Sequence, residues 1–307
     1  MSAVDLSVSV GDLKFKNPLI GASGTFGYGL EFASLYDLSQ IGGFVTKGLS
    51  LRPREGNPPH RIAESSSGMI NSIGLNNIGV EVFLREKLPQ LTQIDTHIIV
   101  NVYGQDPEDF VAVARELKGV KGISALEVNV SCPNVDKGGL DLGTEPIQVQ
   151  KLLERISKAC DKPLWAKLTP NVTSIVEIAQ AAADGGAQAL SLINSVKATA
   201  VDLRSKSPIL SRVYGGLSGP AIKPIALAKV LEVAMKMEIP IVGMGGISTG
   251  EDVLEFLLCG AHAVQIGTQN FVRSDAMWTI KKELELGLER FGSDTIGSWV
   301  RGLSVFS

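Results

Sequence analysis

The sequence predicts an α/β chain folded as a (β/α)8 barrel, with inserted loops at the carboxy-terminal face of the sheet. Three observations carry that reading. Eight short β-rich runs alternate with amphipathic helical stretches along the chain. No break of domain size interrupts the alternation, and nearly every run ends in a polar residue or glycine. Barrels of this kind use about 250 residues and more with insertions, so the 307 residues are read as one domain, 1–307. An open doubly wound sheet is the structural alternative, and eight uninterrupted units weigh against it.

In chain order the strand runs are Pro18–Ser23, Gly43–Lys47, His97–Tyr103, Ala125–Val130, Leu164–Leu168, Ala189–Asn194, Pro240–Met244 and Ala263–Gly267. The stretches DPEDFVAVARELKG, EPIQVQKLLERISKA and VTSIVEIAQAAADGG read as helices, with acidic starts and lysine or glycine ends that suit helix polarity. Two connections are long, from Ser50 to Leu75 after the second run and from Ser195 to about Pro220 after the sixth. Long glycine- and asparagine-rich connections at that end of a barrel form the walls or lid of a site. The proline-rich PREGNPP is the part best read as surface decoration.

Composition excludes several classes. A net charge of −3 gives no reason to expect nucleic acid, and no apolar run approaches the ~18 residues of a membrane span. MSAVDLSVSV lacks the basic and apolar regions of a secretory signal, so the expected location is cytoplasmic. Three scattered cysteines, none in a C-x-x-C pair, form neither a disulfide framework nor a metal or iron–sulfur site. Cys160 and Cys259 read as small buried hydrophobes. His60 is read as loop surface, His97 and His262 as structural, and Trp165 as packing against a helix.

The strand ends carry the chemistry. Ser23, Lys47, Asn101, Asn129, Lys167, Asn194, Gly245–Gly246 and Gly267–Thr268 terminate successive runs, and in a closed barrel they converge on one rim. A single strand-end asparagine is usually a turn former; recurrence around the ring indicates a binding site. The glycine-rich ends of the last two runs, GMGGIS and QIGT, each lead into a helix and suit a monophosphate, held by backbone N–H groups. GMGGIS lacks the third glycine and the acidic ribose partner of a dinucleotide fingerprint. These features leave open a flavin mononucleotide enzyme or an isomerase, aldolase or lyase of a phosphorylated substrate. Cys132, in a loop just past the fourth run, is either a loop thiol without chemistry or a base.

Taken together, NVSCPN followed by GGLDLGT, SGMINSIGLNN, FVTKG, WAKLTPN, LINS, GGLSGPAIKP, GMGGIS and QIGT resemble the class 1 dihydroorotate dehydrogenases from end to end. GGLSGPAIKP and NVSCPNVDKGG are more similar to the class 1B catalytic subunit than to the fumarate-linked class 1A. The resemblance implies one flavin mononucleotide (FMN) per chain, touched by Ser23, Lys47, Gly48, Asn101, Asn129, Lys167, Ile193, Gly219, Gly245, Gly246, Gly267 and Thr268. It implies that dihydroorotate or orotate is held by Lys47, Asn71, Ser72, Ile73, Gly74, Leu75, Asn129, Asn194 and Ser195, with Cys132 as the base at C5. Asparagine amides suit the donor and acceptor edge of a pyrimidine, and a lysine suits its carboxylate. Ser195 stands where much of the family has threonine, and KATAVDL departs from the usual run after it.

The resemblance also implies a partner. The chain has no cysteine cluster of its own, so electrons would reach NAD through a subunit carrying FAD and a [2Fe–2S] cluster, in a heterotetramer around a homodimer. The competing readings are a class 1A enzyme using fumarate, a dihydropyrimidine dehydrogenase-type flavin enzyme, and a non-redox phosphate-binding barrel.

Overall fold

The computed structural model describes residues 4–131 and 142–306. Eight parallel strands close into a barrel in chain order: β1 (Leu19–Gly21), β2 (Gly43–Val45), β3 (His97–Val102), β4 (Ala125–Asn129), β5 (Leu164–Lys167), β6 (Ala189–Leu192), β7 (Ile241–Met244) and β8 (Ala263–Ile266), with β8 pairing back to β1. All eight strands fall inside the anticipated runs. The strands are three to six residues long and buried on both faces, which is why they read as apolar runs and not as alternating ones.

The outer ring is less regular than the alternation suggests. The helices Pro107–Glu116, Pro146–Ala159, Ile175–Asp184, Lys223–Ala234, Gly250–Leu258 and Ala276–Arg290 follow β3 to β8. After β1 there is only one turn, Leu30–Ala33, and after β2 the helical segment from Val80 to Leu91 contains a π-type stretch, Phe83–Lys87. Helix starts follow the capping chemistry of the sequence. Asp106 accepts from the Asp109 amide and Ser174 from the Glu177 amide, while Thr249 and Asp252 form a reciprocal capping box.

A hairpin of Val8–Val10 with Leu13–Phe15 closes the amino-terminal end of the barrel. Phe15 is buried against His97 and Trp165, with ring centroids 4.4 and 6.2 Å apart. The expectation that Trp165 packs against a helix is thereby corrected. Trp165 and Lys167 share one face of β5 by the two-residue strand period, so the indole points along the barrel axis towards the hairpin. His97 and His262 have the structural roles expected. His97 bridges Ser124 and the Lys14 carbonyl, while His262 Nδ1 accepts from the Ile241 amide.

The two long connections do not remain loops. They meet in one four-stranded antiparallel sheet, ordered Val196–Ala198, Gly215–Ser218, Gly68–Asn71 and Ile62–Ser65. Its central pairing sets Gly216 opposite Asn71 and Ser218 opposite Met69. The strand GGLS has no side-chain alternation to announce it, and its pairing is fixed by a segment about 145 residues away, which local patterning does not register. The sheet stands over the carboxy-terminal ends of β2 and β6 and builds one wall of the bowl.

Candidate active site

The floor of the bowl is a buried polar layer inside the barrel. Register places Asn101 of β3 opposite Glu127 of β4, and Asn129 of β4 opposite Lys167 of β5. Asn101, Glu127, Lys167, Ser191 and Gln265 are all buried. Asn101 Nδ2 donates to Glu127 Oε1 at 2.7 Å, and Gln265 Nε2 donates to Glu127 Oε2. Lys167 Nζ lies 3.7 Å from Glu127 Oε1, so the one buried carboxylate faces one buried ammonium and two amides. Gln265 Nε2 also reaches Ser191 Oγ at 3.4 Å. The amide of Asn101 is fixed further by its main chain, whose N–H donates to Thr46 Oγ1 at 3.2 Å.

Both amide oxygens of this layer, Asn101 Oδ1 and Gln265 Oε1, are buried without a hydrogen-bond partner among the described residues. Such an acceptor is costly unless something donates to it. Asn101 Oδ1 is aimed at Gly48, where a side chain would begin 2.8 Å away, so glycine is the residue that leaves that oxygen approachable.

At the rim, β4 and β6 bring two of the expected asparagines together, with Asn194 Nδ2 3.5 Å from Asn129 Oδ1. Asn194 Oδ1 accepts from the Ser195 amide at 2.8 Å. The wall sheet carries Asn71 to the same place. Its Nδ2 donates to Gly216 O at 3.3 Å, and a Cβ on Gly216 would meet Ser195 Oγ. Ser72, Ile73, Gly74 and Leu75 wind tightly around Asn57. Asn57 donates to Ser72 and to Ile73 O, and both Gly74 and Leu75 have positive φ, +74° and +60°.

Lys47 is held separately. Its Nζ donates to Asn76 Oδ1 at 3.0 Å, and Asn76 is in turn anchored on the Arg54 and Glu55 carbonyls. Burial depresses the Lys47 pKa, the nearby Arg61 charge depresses it further, and Glu31 opposes both. Ser23 is half-buried just beyond β1.

The third cluster is the glycine cradle beyond β6 to β8. A Cβ on Gly246 would lie 2.8 Å from the Lys223 backbone nitrogen and 2.9 Å from Gly219 O, and one on Gly245 would lie 3.5 Å from Ile193 Cγ1. A Cβ on Gly219 would lie 3.5 Å from Thr268 Cγ2, and Thr268 Oγ1 pairs with Ser218 Oγ at 2.9 Å. Five of the residues expected to touch the flavin, Ile193, Gly219, Gly245, Gly246 and Thr268, are thus drawn into one surface. Of the two helix starts expected to face a phosphate, the one after β7 is already capped. The amides of Ser248 and Thr249 both donate to Asp252 Oδ2, so the start of Gly250–Leu258 is capped from within, and the segment after β8 is only the single turn Gln269–Val272. After β7, backbone approach at the glycines and not a free helix terminus is what this surface offers. Burial raises the Asp252 pKa, but Lys223 and the Ser248 amide and hydroxyl outweigh it and hold the carboxyl below its usual range.

The sequence reading missed Glu127, Gln265 and Asn76. Glu127 was within reach: a carboxylate in the apolar run ALEVNV, two residues before Asn129, shares the face of that asparagine. Cys132 lies outside the described residues. Cys160 and Cys259 are free thiols whose pKa burial pushes up; Cys160 is buried as expected, whereas Cys259 is only half-buried. Among the described residues no group of histidine, cysteine and carboxylate side chains could hold a metal, and no helix is long and apolar enough to cross a membrane.

Comparison with known proteins extends over the same ground. The chain is 53% identical over 304 residues to the dihydroorotate dehydrogenase B (NAD(+)) catalytic subunit of Solidesulfovibrio magneticus, covering 99% of each chain. It is 50% identical over 303 residues to the protein of that name from Maridesulfovibrio salexigens, covering 98% of this chain and 99% of the other. The corresponding figure for Geobacter sp. strain M21 is 47% over 305 residues, covering 99% and 100%. The sequence pattern described as dihydroorotate dehydrogenase matches residues 5–288, and the chain belongs to that family.

Proposed function

We propose that this chain is the catalytic subunit of an NAD+-linked, cytoplasmic dihydroorotate dehydrogenase that oxidises dihydroorotate to orotate in the synthesis of UMP. The observation that carries the proposal is the two-level bowl: Asn71, Asn129, Asn194 and Ser195 at the rim, above a buried floor that presents Lys167 and the unpartnered Asn101 oxygen. The rim offers amide donors and acceptors to a planar pyrimidine edge, and Lys47 offers a cation to its carboxylate.

The residues fit FMN. The approach at Gly219, Gly245, Gly246, Gly267 and Thr268 suits its phosphate, because side chains at Gly219 or Gly246 would fill that surface. Asn101 Oδ1 supplies an acceptor at the floor, with Ser23, Lys47, Gly48, Asn129, Lys167 and Ile193 completing the set. When bound, FMN supplies the hydride acceptor for C6 of dihydroorotate. Lys167 would stabilise negative charge that develops on the reduced ring. Ser72, Ile73, Gly74 and Leu75 would contact the substrate from the turn wound around Asn57. Cys132 would take the C5 proton, an assignment resting on the motif NVSCPN.

The electrons leave through a second protein, a subunit carrying FAD and a [2Fe–2S] cluster in a heterotetramer around a dimer of this chain. The relatives' name, a catalytic subunit of an NAD(+) enzyme, supports that partner. The test is the visible spectrum of the purified chain, reconstituted with FMN and titrated anaerobically with dihydroorotate. A yellow protein bleached by dihydroorotate is expected, with dye reduction but no NAD reduction until the partner is added. A protein that stays colourless after reconstitution would end the proposal.

A further inference from the structure

Glu127 is among neither the flavin contacts nor the orotate contacts proposed above, yet it is the most completely buried carboxylate at the site. We propose that Glu127 is a positioning residue that sets the charge balance and the acceptor geometry beneath the flavin. The inference rests on the flavin reading of the site.

Two facts lead to it. First, each carboxylate oxygen takes an amide N–H2, from Asn101 on one side and Gln265 on the other. A carboxylate is acceptor-only, so it orients both amides the same way, nitrogen inwards and oxygen outwards. The two oxygens left unpartnered, Asn101 Oδ1 and Gln265 Oε1, are the consequence. An apolar residue at 127 would leave both amides free to turn over. Second, Lys167 Nζ stands 3.7 Å from Glu127, with its side chain 8% exposed and that of Glu127 fully buried. The pair brings no net charge to the barrel core, so the pull of Lys167 on a developing flavin anion is moderated from below. Glu127 lies two residues deeper on β4 than Asn129, so it acts through Lys167 and Asn101 and does not touch the ring itself.

The consequence is a redox setting. Replacing the carboxylate by a neutral isostere leaves the Lys167 charge uncompensated, which favours the reduced, anionic flavin. In the FMN-loaded chain, Glu127→Gln is expected to raise the flavin midpoint potential by the equivalent of about tenfold in the oxidised-to-reduced ratio, or about 30 mV for a two-electron couple. That is the order expected of one unbalanced charge in a low-dielectric barrel. Glu127→Asp keeps the charge and is expected to return the potential towards that of the parent, a rescue that a packing role would not produce. A yellow Glu127→Gln protein whose potential is unchanged or lowered overturns the proposal. If Glu127→Gln does not fold, Glu127→Asp decides, because a potential raised as far as a Lys167-uncompensated site demands, with the charge still present, also overturns it. Failure of the parent itself to take up FMN is a separate result that removes the flavin reading and leaves Glu127 a structural ion pair.

Discussion

Alanine at Gly246 and at Gly267 separates what the glycine cradle does for the fold from what it does for a ligand. Gly246 has φ +80°, and a Cβ there would sit 2.8 Å from the Lys223 backbone nitrogen and 2.9 Å from Gly219 O. The left-handed backbone costs about 1–2 kcal/mol for an alanine. Two main-chain atoms cannot turn aside as a flexible side chain does, so overpacking adds about 1–3 kcal/mol. Gly246→Ala should therefore destabilise the protein by roughly 2–5 kcal/mol, a large part of a typical stability of about 5–15 kcal/mol. For a chain of this size that is a fall in Tm on the order of 3–8 °C.

Gly267 differs. Its φ is ordinary, and the nearest atom to a new Cβ would be Ala22 Cβ at 3.7 Å, a normal contact. Gly267→Ala should leave the Tm of the flavin-free protein within about 1 °C, since a substitution that strains nothing costs within about 0.5 kcal/mol. If the cradle holds the FMN phosphate, the methyl nonetheless stands where the phosphate approaches, and FMN should bind at least about tenfold more weakly, a cost of about 1.4 kcal/mol. Thermal unfolding without flavin and FMN titration by fluorescence quenching give the two readouts. Parent-like FMN affinity in Gly267→Ala would refute the cradle, and parent-like stability in Gly246→Ala would refute the steric reasoning.

Further outcomes follow from the charges. If Lys47 faces the orotate carboxylate as proposed, its burial-lowered pKa should make orotate affinity begin to fall at a pH below the ordinary lysine value of 10.5; the dissociation constant measured against pH tests this, and no weakening before 10.5 refutes it. The His262 pKa is lowered by burial and then by Arg301. The unfolded chain therefore binds more protons just below the ordinary value of 6.5, and the His262 contribution to stability is complete above that pH and lost as pH falls through it to the folded pKa. Urea titrations at pH 7.5 and 5.5 should show a loss that His262→Asn reduces. Lys167→Met strands Glu127 in the core and should cost about 3–5 kcal/mol even without flavin; a stability equal to the parent would show that the pair at 3.7 Å carries no coupling.

The fold was legible because a parallel barrel strand is buried on both faces. ALEVN, WAKL and IVGMGG each read as an apolar run with a polar or glycine end, and their strands all lie on one barrel. Asn129, Lys167 and Asn194 were legible for the same reason: each ends such a run, and closure of the ring brings the ends together. The wall was not. Gly215–Ser218 is a strand only because Gly68–Asn71 lies beside it, a fact about a remote segment that no local period encodes. Gln265 was hidden differently. Inside AVQIGT it is one amide among apolar neighbours, and its importance emerges only when β8 is closed across the barrel from β4 and Gln265 meets Glu127.

That closure explains why polar residues can occupy the barrel axis here. A buried carboxylate alone costs several kcal/mol. Glu127 avoids it by taking two amide donors and an ammonium from three different strands, β3, β5 and β8. The arrangement succeeds only while the barrel is closed, because Asn101 and Gln265 approach the carboxylate from opposite sides. Closure and site are therefore one cooperative unit. A cavity made in the layer beneath, such as Trp165→Ala, acts on the same strand as Lys167 and, two residues away, loosens the floor of the bowl. Trp165, read from sequence as packing against a helix, instead lies beneath the floor on β5, as Asn71 and Gly216 hold the side of the bowl through the wall sheet.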